Sequence, residues 1–312
     1  GYSVCNHRFL NTLQKMTSDA GLEAVTPRTW TEEISSAVPF AESPARDGKP
    51  ADEQQPQAGM TFTARAQLYG RAPGVSVETV TRGSLDETNL RFIRSIPSEQ
   101  VKLAAIFDLL FAQSDRHGQN VFATEDGQLQ LIDNEDSCTG LNSMFLPGTQ
   151  KFEIYRIGYN AVCCGNIPNG CPGTPIGPSP EAMLDYRCHV EGGTIGSDKL
   201  PQEVKAYAAK AAGMSVEQFR AEYDLPQPHF AEIMHTHAKD LHEAGFEGAL
   251  ERALARAEVG DGRRYGSNFS YPIEKPCCKP EDCDFRIDPG LKNKLNRGEL
   301  TFETLWDNAA KA

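Results

Sequence analysis

The clearest hydrophobic pattern in the chain lies just before its middle. Leu103, Ile106, Phe107, Leu110 and Phe111 recur at helical spacing and predict a helix that buries one face. Ser98 stands where an N-cap belongs, and Glu99 suits the positive end of such a helix. The apolar run stops at Ser114, and a polar loop extends to Asn120. Two short alternating segments follow, at 121–124 and 129–132, and the Asp126-Gly127 pair between them predicts a hairpin.

Other stretches read less sharply. Val4, Phe9, Leu10, Leu13 and Met16 predict an amphipathic helix that stops near Gly21, with a strand after it. Met60, Phe62, Ala64, Ala66 and Leu68 alternate as in a strand, which Pro73-Gly74 breaks; Val75, Val77 and Val80 extend that reading. Between these strands, 43–57 is polar, Pro-rich and without aromatics, as in a flexible loop. Residues 88–94 fit no single template, and 151–162 fit a short helix or a strand. A Gly/Pro loop is expected at 165–180. The later part of the chain predicts helices at 201–212, 215–223, 228–244, 246–257 and 301–308. Ser215 and Gln218 form a capping box, and Phe302, Leu305 and Trp306 would dock the last helix. Short strands followed by many helices predict an α+β class.

Composition narrows the function. The chain has 312 residues, enough for one large domain or two lobes around a cleft. With a net charge of −12 a nucleic-acid footprint is not expected, and the acidity argues weakly against anionic membrane surfaces. No run is long and apolar enough for a transmembrane segment. Nine cysteines cluster in loop-like stretches, Cys163-Cys164 with Cys171 and Cys277-Cys278 with Cys283. Zinc is the rival reading, but Cys-Cys steps lack zinc-ligand spacing, so disulfides in an oxidising compartment are expected. An odd count leaves one thiol free or paired elsewhere. Asn268-Phe269-Ser270 is a glycosylation sequon, which makes a glycoprotein in the secretory lumen or outside the cell the expectation.

His235, His237 and His242 invite a metal reading, but their spacing suits a solvated helix face better. His189, beside Cys188, reads as structural. Arg252, Arg256, Arg263 and Arg264 read as solvated charge and helix-end compensation.

The central stretch carries chemistry. A helix delivers Asp115 into a loop, Asn120 follows, and a hairpin returns Asp133 beside them. Phosphoryl transfer needs a carboxylate to orient and deprotonate a hydroxyl, and hard oxygen ligands for the metal ions on the nucleotide phosphates. Asp115 suits the first task, while Asn120 and Asp133 suit the second, with Mg²⁺ or Mn²⁺.

Asp115-Arg116-His117-x-x-Asn120, followed by Ile132-Asp133-Asn134, resembles the catalytic and metal-binding loops of atypical kinases. Phosphatidylinositol kinases share the first string. The secretory-pathway kinases of the Golgi casein-kinase type are closer, through the Asp-Asn pair and the Cys-Cys pair after it. The resemblance implies a two-lobed protein-kinase-like fold with a truncated small lobe (1–96), a mostly helical large lobe (97–265) and a cysteine-containing tail (266–312). It implies ATP as phosphoryl donor, Asp115 as base, Arg116 and His117 as braces of the loop, and Asn120 and Asp133 as cofactor and metal residues. The substrate would be a hydroxyl of a protein or glycan, with a lipid third. Glu135 stands where the family has Gly, and Asn6, His7 and Arg8 stand where it has a nucleotide-site Glu. The glycine-rich loop and its Lys are expected before Gly1, so residues 1–312 alone are expected to be inactive or weak. The alternative is a disulfide-stapled pseudokinase acting as a binding or structural subunit of a protein assembly.

Overall fold

The computed structural model describes residues 2–37, 61–81, 84–134, 137–138, 141, 143–147, 180–259, 276–283, 285 and 287–309. The chain divides into two compact units, residues 28–70 and the remainder.

The smaller unit is a long antiparallel hairpin. Strand β1 (Thr29–Ala37) pairs with β2 (Thr61–Tyr69), with Thr29 opposite Tyr69 and Ala37 opposite Thr61. Its base is closed by the Gly70 N–H donating to the Arg28 carbonyl at 2.7 Å. The loop expected at 43–57 lies outside the described residues.

The larger unit is α+β. It opens with α1 (Tyr2–Asp19), whose Phe9, Leu10, Leu13 and Met16 are buried. Gly21, at φ 66°, ends it, but 23–25 form a 3-10 turn, and the strand predicted there begins only at Thr29. Strand β3 (Val75–Ser76) is followed at once by a helical turn, α2 (Val77–Thr81), so the extended reading of Val77 and Val80 is wrong. The ambiguous stretch is α3 (Glu87–Ser95), fixed by an Asp86–Asn89 capping box.

At the centre is α4 (Ser98–Leu110). Pro97, not Ser98, is its N-cap, and Ser98 is its first helical residue. The predicted stripe is buried, and so are Val101, Ala104, Ala105 and Leu109 around the other side. A helix apolar nearly all round belongs inside a core. Beyond it, β4 (Val121–Ala123) and β5 (Leu129–Leu131) complete an antiparallel sheet of order β3-β4-β5. Gly127, at φ 77°, makes the hairpin turn and packs so closely on Ser95 and Pro97 that no side chain fits there.

The helices of the second half wrap this centre. They are α5 (Gln202–Ala212), α6 (Val216–Glu222) with its Ser215–Gln218 capping box, and α7 (Pro228–Val259). Gly245, at φ 70° and ψ −174°, breaks α7 where two helices were expected. His235 and His237 correct the solvated-face reading: both are buried. His235 Nε2 bonds the Met214 carbonyl at 2.9 Å, and His237 Nδ1 bonds the Leu109 carbonyl at 2.6 Å. They use opposite neighbours because positions two apart leave a helix in different directions. His189 Nε2 meets the Met183 carbonyl at 2.9 Å, a structural contact. Arg252 and Arg256 pair with Asp240 at 2.8 and 2.7 Å.

The tail is more ordered than its polar sequence suggests. Asp288 caps an unpredicted helix, α8 (Pro289–Asn296), and α9 (Phe302–Ala309) follows. Both dock near α3, with the Arg94 guanidinium 4.4 Å from the Trp306 ring and Lys294 paired to Glu87 at 2.7 Å. Two disulfides hold the start of the tail, Cys188–Cys278 and Cys277–Cys283. Cys163, Cys164, Cys171, Asn268 and the segment 151–162 lie outside the described residues. Cys138 is free and buried, and burial pushes its thiol far above the ordinary range. No described helix is long and apolar enough to cross a membrane.

Peptide mapping without reductant is expected to recover Cys188–Cys278 and Cys277–Cys283; a Cys188–Cys283 link would contradict the connectivity. The first bridge spans 90 residues, and its loss should cost roughly 2–5 kcal/mol.

His237 generates a pH prediction. Burial first, and then the nearby Arg256 charge, hold its imidazole down at about 4, from an ordinary 6.5. The unfolded chain therefore binds the extra proton first, and stability that is complete above 6.5 is lost as pH falls toward 4. The loss should be about 3 kcal/mol. Urea unfolding of His237→Gln between those pH values should show a flatter dependence than the wild type, and equal slopes would refute it.

Candidate functional site

The site grows from the end of α4. Phe111 caps the helix, and Ala112 turns the chain at φ 49°. The Cys138 N–H then bonds the Ala112 carbonyl at 2.9 Å, so the entry to the loop is pinned to the strand-return segment. Gln113 is fully buried and receives the Ser114 N–H at its Oε1, 2.9 Å away.

Arg116 organises the loop from below. It has no solvent exposure. Its Nε lies 3.0 and 3.3 Å from the two carboxylate oxygens of Asp108. Nη1 donates to the Asn120 carbonyl at 3.0 Å and the Ile132 carbonyl at 2.7 Å. Nη2 donates to Asn134 Oδ1 at 2.5 Å. One guanidinium thus joins the helix, the loop and the segment after β5, using the planar fork that Arg alone provides. Asp108 also accepts from the Ser143 hydroxyl at 2.6 Å. Burial pushes the Asp108 carboxyl upward against the pull of Arg116 and Ser143.

Sequence reasoning missed Asp108, Ser143, Glu78 and Glu181. Asp108 had a readable signal, since it is the one carboxylate in the apolar run from Leu103 to Phe111 and needed a buried partner. The others come from segments with no local cue.

Above this base the predicted residues come together unevenly. Asp115 and Asn120 are in contact: Asn120 Nδ2 donates to the Asp115 carbonyl at 2.9 Å and faces its carboxylate at 3.5 Å. The Asn120 amide nitrogen is thereby used. The Asp115 carboxylate is 44% exposed, at the mouth of the loop. His117 Nδ1 accepts the Gln119 N–H at 3.2 Å, which leaves the ring proton on Nε2, 3.5 Å from Asp115 Oδ2. Burial depresses His117, but Asp115 and then Glu78 and Glu181 outweigh it, and the imidazole is raised overall.

Asp133 arrives through the backbone. The Ile132 N–H bonds the Asn120 carbonyl at 3.0 Å, which sets the next residue beside Asn120. Asp133 is exposed and adopts φ 57°, a left-handed conformation that Asp and Asn tolerate better than most residues. Glu135, in the Gly position of the resemblance, lies outside the described residues. Among the described residues no three His, Cys, Asp or Glu side chains are grouped to hold a metal ion by themselves.

The Arg116 base is testable by stability. Asp108→Ala would leave a buried guanidinium uncompensated and should destabilise by roughly 3–5 kcal/mol. A loss below about 1 kcal/mol in urea unfolding, the size of a surface pair, would show that the pair is not the base of the loop.

Comparison with known protein families, curated proteins and solved structures finds no match to this chain, so the chemistry of the site has to be read from its own residues.

Proposed function

We propose that this chain is a kinase-like phosphotransferase of the secretory type, moving a phosphoryl group from ATP to a hydroxyl of a protein or glycan. One observation carries the reading. A buried Arg116 ties the Asp-Arg-His-x-x-Asn loop to the Ile132–Asn134 return, so the base and the two oxygen donors are built on one support. In this reading the β1–β2 hairpin belongs to the small lobe, and the helices around α4 form the large lobe.

Asp115 accepts the proton of the attacking hydroxyl from its exposed position at the loop mouth. His117 holds that carboxylate through Nε2, and Asn120 holds the backbone of the same residue. Asn120 Oδ1 and Asp133 would hold Mg²⁺ or Mn²⁺, which neutralises phosphate charge when bound. The two disulfides support a lumenal or extracellular location, because such bonds persist in oxidising compartments. A second reading, a pseudokinase that binds without transferring, is favoured by Glu135 in place of Gly.

The test is nucleotide binding with Mg²⁺ or Mn²⁺, together with phosphate transfer to casein-like and glycan substrates. Asp133→Ala should abolish metal-dependent nucleotide binding. Asp115→Ala should keep binding and lose transfer by roughly 10²–10⁴-fold. Transfer undiminished in Asp115→Ala would overturn the assignment. Metal-dependent binding with no transfer by the full-length wild-type protein would establish the pseudokinase.

A further inference from the structure

Gln113 stands two residues before Asp115 and has no solvent exposure. A carboxamide out of reach of water must satisfy a donor end and an acceptor end, and here the two ends reach different segments. Its Oε1 accepts the Ser114 N–H at 2.9 Å and the Asp115 N–H at 3.4 Å. Its Nε2 donates to Asn134 Oδ1 at 3.3 Å. One atom of this side chain therefore holds the backbone of Asp115, and another holds the neighbour of Asp133.

Asn134 is the matching half, and it too is buried. Its Oδ1 also accepts from Arg116 Nη2 at 2.5 Å, and its Nδ2 donates to the Leu131 carbonyl at 2.8 Å. The Ser137 hydroxyl closes the turn by donating to the Asn134 carbonyl at 2.9 Å. The orientation of both amides follows from the guanidinium. Arg has donors only, so Asn134 turns Oδ1 toward Arg116. Gln113 must then present Nε2 to that oxygen, which leaves its Oε1 for the backbone N–H groups of Ser114 and Asp115. Met, a side chain of similar length, supplies neither end, and ionised Glu lacks the donor.

We propose that Gln113 is a positioning residue: through its bond to Asn134 it fixes where Asp115 stands relative to Asp133. This rests on reading Asp115 as the base and Asp133 as a metal residue. Phosphoryl transfer draws nearly all of its catalysis from positioning and electrostatics, and a misplacement of about 1 Å can cost about 10²-fold. In that reading the attacking hydroxyl is aimed from Asp115 and the phosphoryl group is held from Asp133, so their separation enters the rate directly. Gln113 itself touches neither substrate nor metal. Its loss weakens transfer and spares nucleotide binding, because Arg116 and the Leu131 carbonyl still hold Asn134.

The experiment places Gln113→Met and Gln113→Glu in the full-length protein, with Mg²⁺, ATP and a casein-like substrate. In both, kcat should fall at least about tenfold, while the KM for ATP and the metal-dependent nucleotide affinity stay within about twofold. In an Asp115→Ala background the same substitutions should cost less than about twofold, since no base is left to place. A residue that only stabilised the fold would cost the same in both backgrounds. Amide hydrogen exchange supplies a readout without activity. Ser114 and Asp115 should exchange at least about tenfold faster in Gln113→Met. The same is expected in Gln113→Glu, where the carboxylate and Asn134 Oδ1 repel each other. Gly127, whose N–H bonds the Thr124 carbonyl, should not change. Gln113→Glu carries both measurements should Gln113→Met fail to fold. An equal loss of kcat in the two backgrounds, or unchanged exchange at Ser114 and Asp115, would overturn the proposal. Faster exchange at those two amides with no transfer by the wild type would leave the Gln113 bridge standing and remove the transferase reading instead.

Discussion

A guanidinium with no access to water must have its charge answered on every side, and that requirement at Arg116 shapes the centre of this protein. Asp108 answers the charge, and carbonyls of two other segments answer the remaining N–H groups. Each of those acceptors is therefore held where the guanidinium plane points. Removing both charges in favour of well-packed apolar groups could leave such a core as stable or more so. The pair's contribution is better seen as geometry: it brings a helix end, a loop and a strand return to one place, a specificity that dispersion contacts alone do not give.

This explains why so much of the site was legible and why its foundation was not. The loop and hairpin are local, with sequence distances short enough for spacing to speak: Asn120 is five residues from Asp115, and it is the Asp115 carbonyl that it bonds. The helices at 202–212 and 216–222 were legible for the same reason, since capping and periodicity are local. Ser143 reaches Asp108 across 35 residues, and Thr81 reaches Glu181 across 100. Nothing in the local sequence encodes those meetings. The buried His235 and His237 were misread for a related reason. Histidine is ambivalent between core and solvent, and what decided them was a carbonyl on another element. Val77 was misread because a β-branched residue suits a strand by propensity, while its packing put it into a helical turn.

The electrostatics around the loop form two layers. Below, Arg116 and Asp108 match one positive and one negative charge in full burial. Beside them, His117 faces three carboxyl groups, those of Asp115, Glu78 and Glu181. An acidic chain that concentrates carboxyl groups around one imidazole makes that ring's environment depend on how many of them are ionised. In the lower layer burial raises the Asp108 carboxyl against the pull of Arg116; in the upper layer the carboxylates raise His117 against its burial.

Asp133 occupies a backbone conformation, φ 57°, that admits few residue types without strain. That narrows the routes by which descendants of this sequence can drift. Exchange for a bulky or β-branched residue would disturb the turn after β5 and, through it, the carbonyls that Arg116 requires. Asn and Gly enter the same conformation readily and would carry off the carboxylate while leaving the fold intact. On the proposed function, a lineage released from selection for chemistry should therefore lose its acid here before it loses its architecture, and a folded but silent descendant is one base change away, since Asp and Asn codons differ at a single position.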